Sequence, residues 1–153
     1  MKKITLFGVL FVFLAAANCG AVGSTIEQPK SKVTKARVML SIFSGRPNPT
    51  WTLSAKNAEQ LVTKINELPK SDAASSPDGL GYTGFQVELT DSASRKSKIT
   101  AYKGLVVYNV NDTSYYFSDS RRSIEKLLME SGKSTLDHQL YQTVKAEIEK
   151  SEK

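Results

Sequence analysis

The chain is poor in the residues that build disulfide frameworks and metal centres, with one cysteine, Cys19, and one histidine, His138. An intramolecular disulfide is therefore excluded, and a metal site built on these residue types would lack partner ligands. No G-x-S-x-G segment is present, so the nucleophile elbow of a hydrolase is missing. His138 falls in a predicted helix, where a solvated position is favoured over a catalytic one. We expect no cofactor, no metal and no catalytic residue.

A block of basic residues along the chain is also missing. Lysine and arginine total 21 against 15 acidic residues, which gives a formal net charge of +6. These charges are mixed in sign along the chain, whereas nucleic-acid-binding proteins usually cluster them on one face or along one helix. We therefore expect no nucleic-acid partner, and only a mild attraction to anionic surfaces.

A long apolar run occurs only at the start of the chain. Lys2 and Lys3 precede an uncharged stretch, 4–17, that ends in small residues. This stretch is about 14 residues long, shorter than the roughly 20 that a transmembrane helix needs. A short positive segment, an apolar stretch and a small-residue exit are the layout of a secretory signal. The sequence predicts a cleaved signal segment over 1–21, with secretion and no transmembrane span afterwards; a retained membrane anchor is the alternative.

Cys19 directly follows the apolar stretch and allows two interpretations. Ala16 and Ala17 are small, as a bacterial lipoprotein signal requires, and lipidation of Cys19 would anchor the protein to a membrane. However, Asn18 occupies the position before the cysteine, where Gly, Ala or Ser is usual. We favour ordinary cleavage after Ala17 or Ala21 and keep the membrane-anchored lipoprotein as the alternative.

The rest of the chain is predicted to be a flexible polar tether, 22–35, and one domain, 36–150. Apolar alternation predicts four strands, and apolar residues at helical spacing predict three helices. The predicted strands are 37–43, 85–90, 99–110 and 115–117, of which 99–110 allows a bulge at Lys103-Gly104. The predicted helices are 55–67, one capped by Ser118 or Asp119, and one opened by Ser134. This β-α-β-β-β-α-α order favours an α+β fold, a small antiparallel sheet of about four strands with helices packed on one face.

The loop 43–51, Phe-Ser-Gly-Arg-Pro-Asn-Pro-Thr-Trp, is the most unusual segment of the domain. Its two prolines fix φ and make the loop stiff, so little entropy is lost on binding. Arg46 offers five donors, Asn48 offers a donor and an acceptor, and Trp51 offers an apolar face. These residues are candidate contacts for an anionic or sugar-like ligand. The alternative is structural: Trp51 fills the core and Arg46 pairs with a carboxylate.

A second unusual segment, 79–85, has the sequence Gly-Leu-Gly-Tyr-Thr-Gly-Phe. A dinucleotide-binding loop leaves a strand and enters a helix, whereas this segment leaves a loop and enters a strand, so phosphate binding is disfavoured. A close approach to a neighbouring backbone, such as the Arg46 loop, explains the glycines better. Tyr82 in this segment is a candidate ligand-binding residue.

Two further features lie near the last predicted strands. Asn111-Asp-Thr113 is an acceptor sequon in a predicted turn, so Asn111 is a candidate glycosylation site if the source glycosylates. Four tyrosines either form an exposed sugar- or peptide-binding row or, as we favour, contribute aromatic rings to the core. They are Tyr102, Tyr108, Tyr115 and Tyr116.

Segments 43–53 and 79–85, with Leu68-Pro69 between them, resemble a signature of uncharacterised small exported proteins, FSGRPNPxWxL followed by GLGYxGF. The resemblance implies a shared secreted domain and brings no activity, cofactor or catalytic residue with it. We therefore favour an exported, non-enzymatic binding or surface domain, with an extracellular or cell-envelope ligand that is anionic or a carbohydrate. A small secreted hydrolase or hydrolase inhibitor is the alternative.

Overall fold

The computed structural model describes residues 32–72 and 81–150. They form β1 Val33–Leu40, β2 Thr50–Thr52, α1 Ala55–Glu67, β3 Phe85–Asp91, β4 Lys96–Tyr102, β5 Leu105–Val110, β6 Thr113–Ser118, α2 Ser123–Ser131 and α3 His138–Glu149. The strands make one antiparallel sheet in the order β2-β1-β3-β4-β5-β6. The α+β class is confirmed, but these residues form six strands instead of the four predicted. The predicted signal segment 1–21, with Cys19, and residues 22–31 of the predicted tether lie outside the described residues.

The first strand begins and ends earlier than the alternating pattern predicts. Val33 and Lys35, which polar composition assigns to the tether, pair with residues of β3. At the other end β1 stops at Leu40, so Ile42 and Phe43 belong to the following loop. Pairing with β3 decides these limits, and local composition does not reveal a distant partner strand.

Two other strand predictions differ from the structure for local reasons. The predicted strand 99–110 is divided into β4 and β5 by a tight turn at Lys103-Gly104. Both turn residues have positive φ, 47° and 78°, as a two-residue hairpin of the primed type requires. β2 is three residues long and follows Pro47 and Pro49, so no alternating pattern marks it.

Side-chain caps mark the start of α1 and α3. The predicted bounds of α1, 55–67, are confirmed. Ser54 caps this helix, since its hydroxyl accepts a hydrogen bond from a backbone N–H of the first turn. The prediction that Ser118 or Asp119 is the cap of the next helix is wrong: Arg122 is the N-cap residue of α2, although Asp119 accepts a hydrogen bond from the Ile124 N–H in its first turn. The prediction that Ser134 opens α3 is wrong: Asp137 is its cap, and the exposed His138 is its first residue.

The sheet has one buried face and one exposed face. α1 packs against β1, α2 packs against β4, and α3 packs against α2. The buried face carries the apolar residues of five strands, β1, β3, β4, β5 and β6. They are Ala36, Val38, Leu40, Phe85, Val87, Leu89, Ile99, Ala101, Val106, Tyr108 and Phe117. The alternate residues Arg37, Glu88, Lys98 and Asn109 align in a row on the other side. We call this other side of the sheet the open face.

Candidate functional site

The two unusual loops of the sequence lie side by side. The Ser41 N–H donates to the Gly84 carbonyl at 2.9 Å, and the Thr83 N–H donates to the Ser41 carbonyl at 2.8 Å. Gly84 has a φ of +95°, and a Cβ there would lie 2.2 Å from the carbonyl oxygen of Ala101. Glycine is required at this position because no side chain fits. Thr83 and Gly84 of the glycine-rich segment thus approach Ser41 and β4 closely, whereas Gly79 and Leu80 lie outside the described residues.

The Arg46 loop is held from within by Asn48. Its Oδ1 accepts hydrogen bonds from the backbone N–H groups of Ile42 at 3.0 Å and Phe43 at 2.9 Å. Arg46 is exposed at the tip, and its Cζ lies 3.6 Å from the centroid of the Phe43 ring. Of these predicted ligand contacts, Arg46 is displayed to solvent, whereas the Asn48 carbonyl oxygen fixes the shape of the loop.

Trp51 lies in the core and joins the loop to α2. Its side chain is only 8% exposed, and its Nε1–H donates to the Ser131 hydroxyl at 2.9 Å. The ring meets the Phe85 ring edge to face, with 6.2 Å between centroids. Gly132 packs against the indole so closely that a Cβ there would lie 2.6 Å from it. We therefore assign Trp51 to the scaffold of the site.

Tyr82 reaches a buried ion pair. Its hydroxyl donates to Glu125 Oε1 at 2.5 Å, and Arg122 Nη2 donates to the same oxygen at 2.7 Å. Glu125 Oε2 accepts from Arg122 Nε at 2.8 Å and from the Gly104 N–H at 3.2 Å. Arg122 Nη1 also donates to the carbonyls of Glu147 and Ile148, at 2.9 and 3.0 Å, near the end of α3. This network ties the glycine-rich segment to both C-terminal helices.

The electrostatics of this network keep the Tyr82 hydroxyl and the Arg122 guanidinium each in one protonation state. Burial, and then the Glu125 carboxylate, raise the pKa of the Tyr82 hydroxyl far above its ordinary range. Burial opposes the charge on Arg122, but the hydrogen bond and charge of Glu125 outweigh it and raise the pKa of the guanidinium. Neither group titrates near neutrality, so the network acts as a fixed support.

Sequence reasoning missed Arg122 and Glu125. A signal for Glu125 is present, because it falls on the same helical stripe as Ile124, Leu128 and Met129, where a charge is out of place. Arg122 carries no such signal, since its backbone has the left-handed φ of 51° before the helix begins. Its partners on α3, the carbonyls of Glu147 and Ile148, lie 25 and 26 residues further along the chain, and sequence spacing does not indicate them.

A pocket of about 410 Å³ opens beside this network, and we call it the Tyr82–Tyr102 pocket. The rings of Tyr82 and Tyr102 are 6.0 Å apart between centroids and tilted by 54°. The lining residues come from the segment after β1, the glycine-rich segment, the β4–β5 turn and α3. They are Ile42, Gly81, Tyr82, Tyr102, Lys103, Thr143 and Glu147.

Charged groups of both signs border this pocket. Lys103 Nζ lies 5.0 Å from the centroid of the Tyr102 ring. The hydroxyl of Tyr102, and more weakly the carboxylate of Glu147, raise the pKa of Lys103, so its amine is cationic at neutral pH. Glu147, on α3, is an acceptor among the lining residues and also pairs with Lys150 at 3.2 Å. The pocket therefore combines aromatic surface with a donor and an acceptor, in a volume typical of small-molecule sites.

The remaining predicted site residues are dispersed. Tyr108 and Tyr115 stack 6.3 Å apart on the side of the sheet that the helices cover, as favoured for core aromatics. Tyr116 is partly exposed on β6, and Tyr102 lines the pocket. Asn111 is exposed in the β5–β6 turn, with a φ of 47°. Among the predicted ligand contacts, the structure thus places Tyr82 in a pocket and Arg46 at an exposed tip.

Within residues 32–72 and 81–150, no group of three or more His, Cys, Asp or Glu side chains is arranged to hold a metal ion. No helix formed by these residues is long and apolar enough to cross a membrane. Comparison with known proteins gives no family model, no curated protein and no solved structure that matches the chain.

Proposed function

We propose that the protein is an exported, non-enzymatic binding domain that holds a small saccharide in the Tyr82–Tyr102 pocket. The observation that carries this proposal is the pair of tyrosine rings, 6.0 Å apart, beside Lys103 and Glu147. Aromatic rings offer flat apolar surfaces to the C–H groups of a sugar, while the lysine and the carboxylate offer hydrogen bonds to its hydroxyls.

The rigidity of the pocket supports a binding role. Tyr82 is locked by Glu125, and Lys103-Gly104 is locked in a tight turn by backbone pairing of β4 with β5. A wall that is already in place loses little entropy when a ligand binds. One segment of the exported-protein signature, 79–85, contributes Gly81 and Tyr82 to the pocket, and Ile42, the residue directly before the other segment, also lines it.

The carboxylates near the pocket favour binding over hydrolysis. Glycoside hydrolysis commonly uses two carboxyl groups that flank the scissile bond. Among the residues that line the pocket, Glu147 is the only carboxylate. Glu125 lies behind Tyr82 and is held by Arg122, so it has no route to a proton transfer with a bound sugar.

Saturation-transfer NMR with a panel of neutral, N-acetylated and uronic mono- and disaccharides tests the proposal. We expect at least one member to bind the wild type and to lose most of its signal with Tyr102→Ala, because that substitution removes a partly exposed aromatic wall of the pocket. Tyr116→Ala is the matched control, since Tyr116 is a partly exposed tyrosine of the same sheet outside the pocket. We expect this control to bind as the wild type does.

Two outcomes contradict the proposal. One is an absence of binding across the panel. The other is equal binding by the wild type and Tyr102→Ala. If chromatography shows that a monosaccharide is released from a bound disaccharide, the hydrolase alternative is favoured.

A hydrolase inhibitor is the second candidate, favoured by the Arg46 tip. Arg46 and Pro47 are exposed, and Asn48 holds the backbone beneath them through two hydrogen bonds. A rigid convex loop with one arginine suits a protease cleft with a carboxylate at its base. Inhibition of trypsin by the wild type, lost in Arg46→Gln, would support this candidate; an uninhibited trypsin would contradict it.

Export is part of the proposal and rests on the predicted signal segment 1–21. Intact-mass measurement of the processed protein tests it. We expect the recovered chain to begin between Asn18 and Ser24. A chain that still contains residues 1–17 contradicts cleavage.

A further inference from the structure

The open face carries a groove of about 590 Å³ that crosses β1, β3, β4 and β5. It lies towards the start of β4, whereas the Tyr82–Tyr102 pocket lies at the end of that strand. Four cationic side chains line the groove: Lys35, Arg37, Lys96 and Lys98. All four are exposed.

Strand register arranges these four cations at the corners of a rectangle. Lys35 on β1 and Lys96 on β4 flank Thr90 of β3. In the next row on the same face, Arg37 and Lys98 flank Glu88. Residues two apart along a strand are separated by about 7 Å, and residues two strands apart by about 10 Å. Such a grid fits several negative charges spaced along a chain better than it fits one compact anion.

Positive charge prevails in the groove. Within the part of the chain that the structure describes, Lys35, Lys96 and Lys98 have no ion-pair partner. The carboxylates among the lining residues are those of Glu88 and Asp112. Cations that are not neutralised by the protein attract an anionic ligand and bind it more weakly as salt increases.

The neutral residues of the groove indicate what kind of polyanion it suits. No aromatic residue is among those that line it, although single-stranded nucleic acids are held largely by stacking on aromatic rings. Amide and hydroxyl groups are present instead. The Ser114 hydroxyl donates to Asn109 Oδ1 at 2.6 Å, and both Nδ2–H donors of Asn109 have no partner among the described residues. These groups match a ligand with hydroxyls as well as charges.

We propose that the open-face groove binds an acidic polysaccharide, with lysine and arginine side chains contacting its carboxylates and Asn109 contacting its hydroxyls. This site is separate from the Tyr82–Tyr102 pocket and does not depend on it. Glu88 lies among the four cations, and its carboxylate lowers the affinity of the groove for an anionic ligand.

Fluorescence anisotropy with labelled oligogalacturonate, a linear polyuronate, tests this site. We expect saturable binding that weakens from low to physiological ionic strength. Lys35→Gln/Lys98→Gln should weaken binding by roughly tenfold, because two of the four cations are lost. Glu88→Gln should tighten binding by about two- to threefold, because it removes an opposing charge of the groove. A purely structural role for these residues does not predict opposite signs.

The matched control is Lys56→Gln/Lys145→Gln. It removes the same charge from exposed positions on α1 and α3, outside the open face. We expect its affinity for oligogalacturonate to stay within about twofold of the wild type. An equal loss in this control would mean that net charge alone drives binding, which overturns the proposal.

Competition identifies the ligand class. We expect unlabelled oligogalacturonate to displace the probe better than polyglutamate or single-stranded DNA of equal charge, and neutral dextran to have no effect. Displacement by DNA or polyglutamate at lower concentration than by oligogalacturonate overturns the assignment to a polysaccharide. Saccharide binding in the Tyr82–Tyr102 pocket should be unchanged in the groove variants, so the two sites fail or succeed independently.

Discussion

The hydroxyl of Tyr82 lies 2.5 Å from Glu125 Oε1, inside the domain, while the ring of the same tyrosine forms a wall of the candidate pocket. One side chain therefore connects the ligand site to the buried ion pair of Glu125 with Arg122. The connection explains how a glycine-rich segment is held in place: its tyrosine is anchored to α2, and its backbone is anchored to Ser41.

Removal of the Tyr82 hydroxyl tests this anchor. In Tyr82→Phe the buried carboxylate of Glu125 keeps its bonds to Arg122 but loses one donor. We expect the free energy of unfolding to fall by about 1–3 kcal/mol, the usual effect of leaving a buried polar group with a missing partner. Urea denaturation followed by circular dichroism measures it.

Tyr116→Phe is the control for that variant. The Tyr116 hydroxyl has no hydrogen-bond partner among the described residues, so its loss should change stability by less than about 0.5 kcal/mol. Equal stability of Tyr82→Phe and the wild type would show that the bond to Glu125 contributes nothing.

The same bond predicts a loss of stability at alkaline pH. Burial and Glu125 raise the pKa of Tyr82 in the folded state, whereas an unfolded tyrosine titrates near about 10. Above that pH the unfolded chain releases a proton that the folded chain keeps, so unfolding becomes easier. We expect stability to fall more steeply above about pH 10 in the wild type than in Tyr82→Phe. Parallel slopes for the two proteins would refute the assignment.

The hydrogen bonds of Asp91 lead us to expect a loss of stability at acid pH. Its carboxylate accepts hydrogen bonds from the backbone of Ala93 at 2.8 Å and of Arg95 at 2.9 Å, in the β3–β4 turn. Desolvation raises the pKa of Asp91, but these bonds and the Arg95 guanidinium outweigh it and lower the pKa overall. The stabilisation is present above about pH 4 and is lost as pH falls through the folded pKa. Asp91→Asn should be less stable than the wild type at neutral pH. In thermal melts, its melting temperature should fall less than that of the wild type as the pH is lowered below about 4.

Two glycines give a matched test of the core around Trp51. A Cβ at Gly132 would lie 2.6 Å from the indole ring, whereas a Cβ at Gly45 would meet nothing within 4 Å. We expect Gly132→Ala to lower the free energy of unfolding by about 1–3 kcal/mol through overpacking. Gly45→Ala should leave it nearly unchanged. If thermal melts show equal stability for the two variants, α2 is not packed against Trp51 as described.

Features set by local interactions could be predicted from the sequence, and features set by distant contacts could not. Helix α1 has a serine cap and a regular apolar stripe, so its bounds follow from residues 54–67 alone. The loop with Arg46 is recognisable from its prolines and glycine. In contrast, the inward turn of Asn48 depends on where the end of β1 lies, and the position of Arg122 depends on α2 and α3 together.

The candidate pocket was only partly accessible to sequence reasoning for the same reason. Tyr82 is marked by the glycines on either side of it. Tyr102 is one of the four tyrosines considered for a sugar-binding row, but its position beside Tyr82 cannot be read from the sequence. Alternation predicts one long strand with at most a bulge at Lys103-Gly104, because positive φ at a lysine has no sequence signal of its own. Glu147 lies 65 residues beyond Tyr82 and reaches the pocket through the packing of α3 on α2.

An amide NMR titration of the protein with the tightest saccharide of the panel tests the Tyr82–Tyr102 pocket most directly. We expect chemical-shift changes that centre on Gly81, Tyr82, Lys103 and Thr143 and that disappear in Tyr102→Ala. Changes confined to the Arg46 tip or to the open face, with the pocket residues unmoved, would contradict the assignment of the Tyr82–Tyr102 pocket as the binding site.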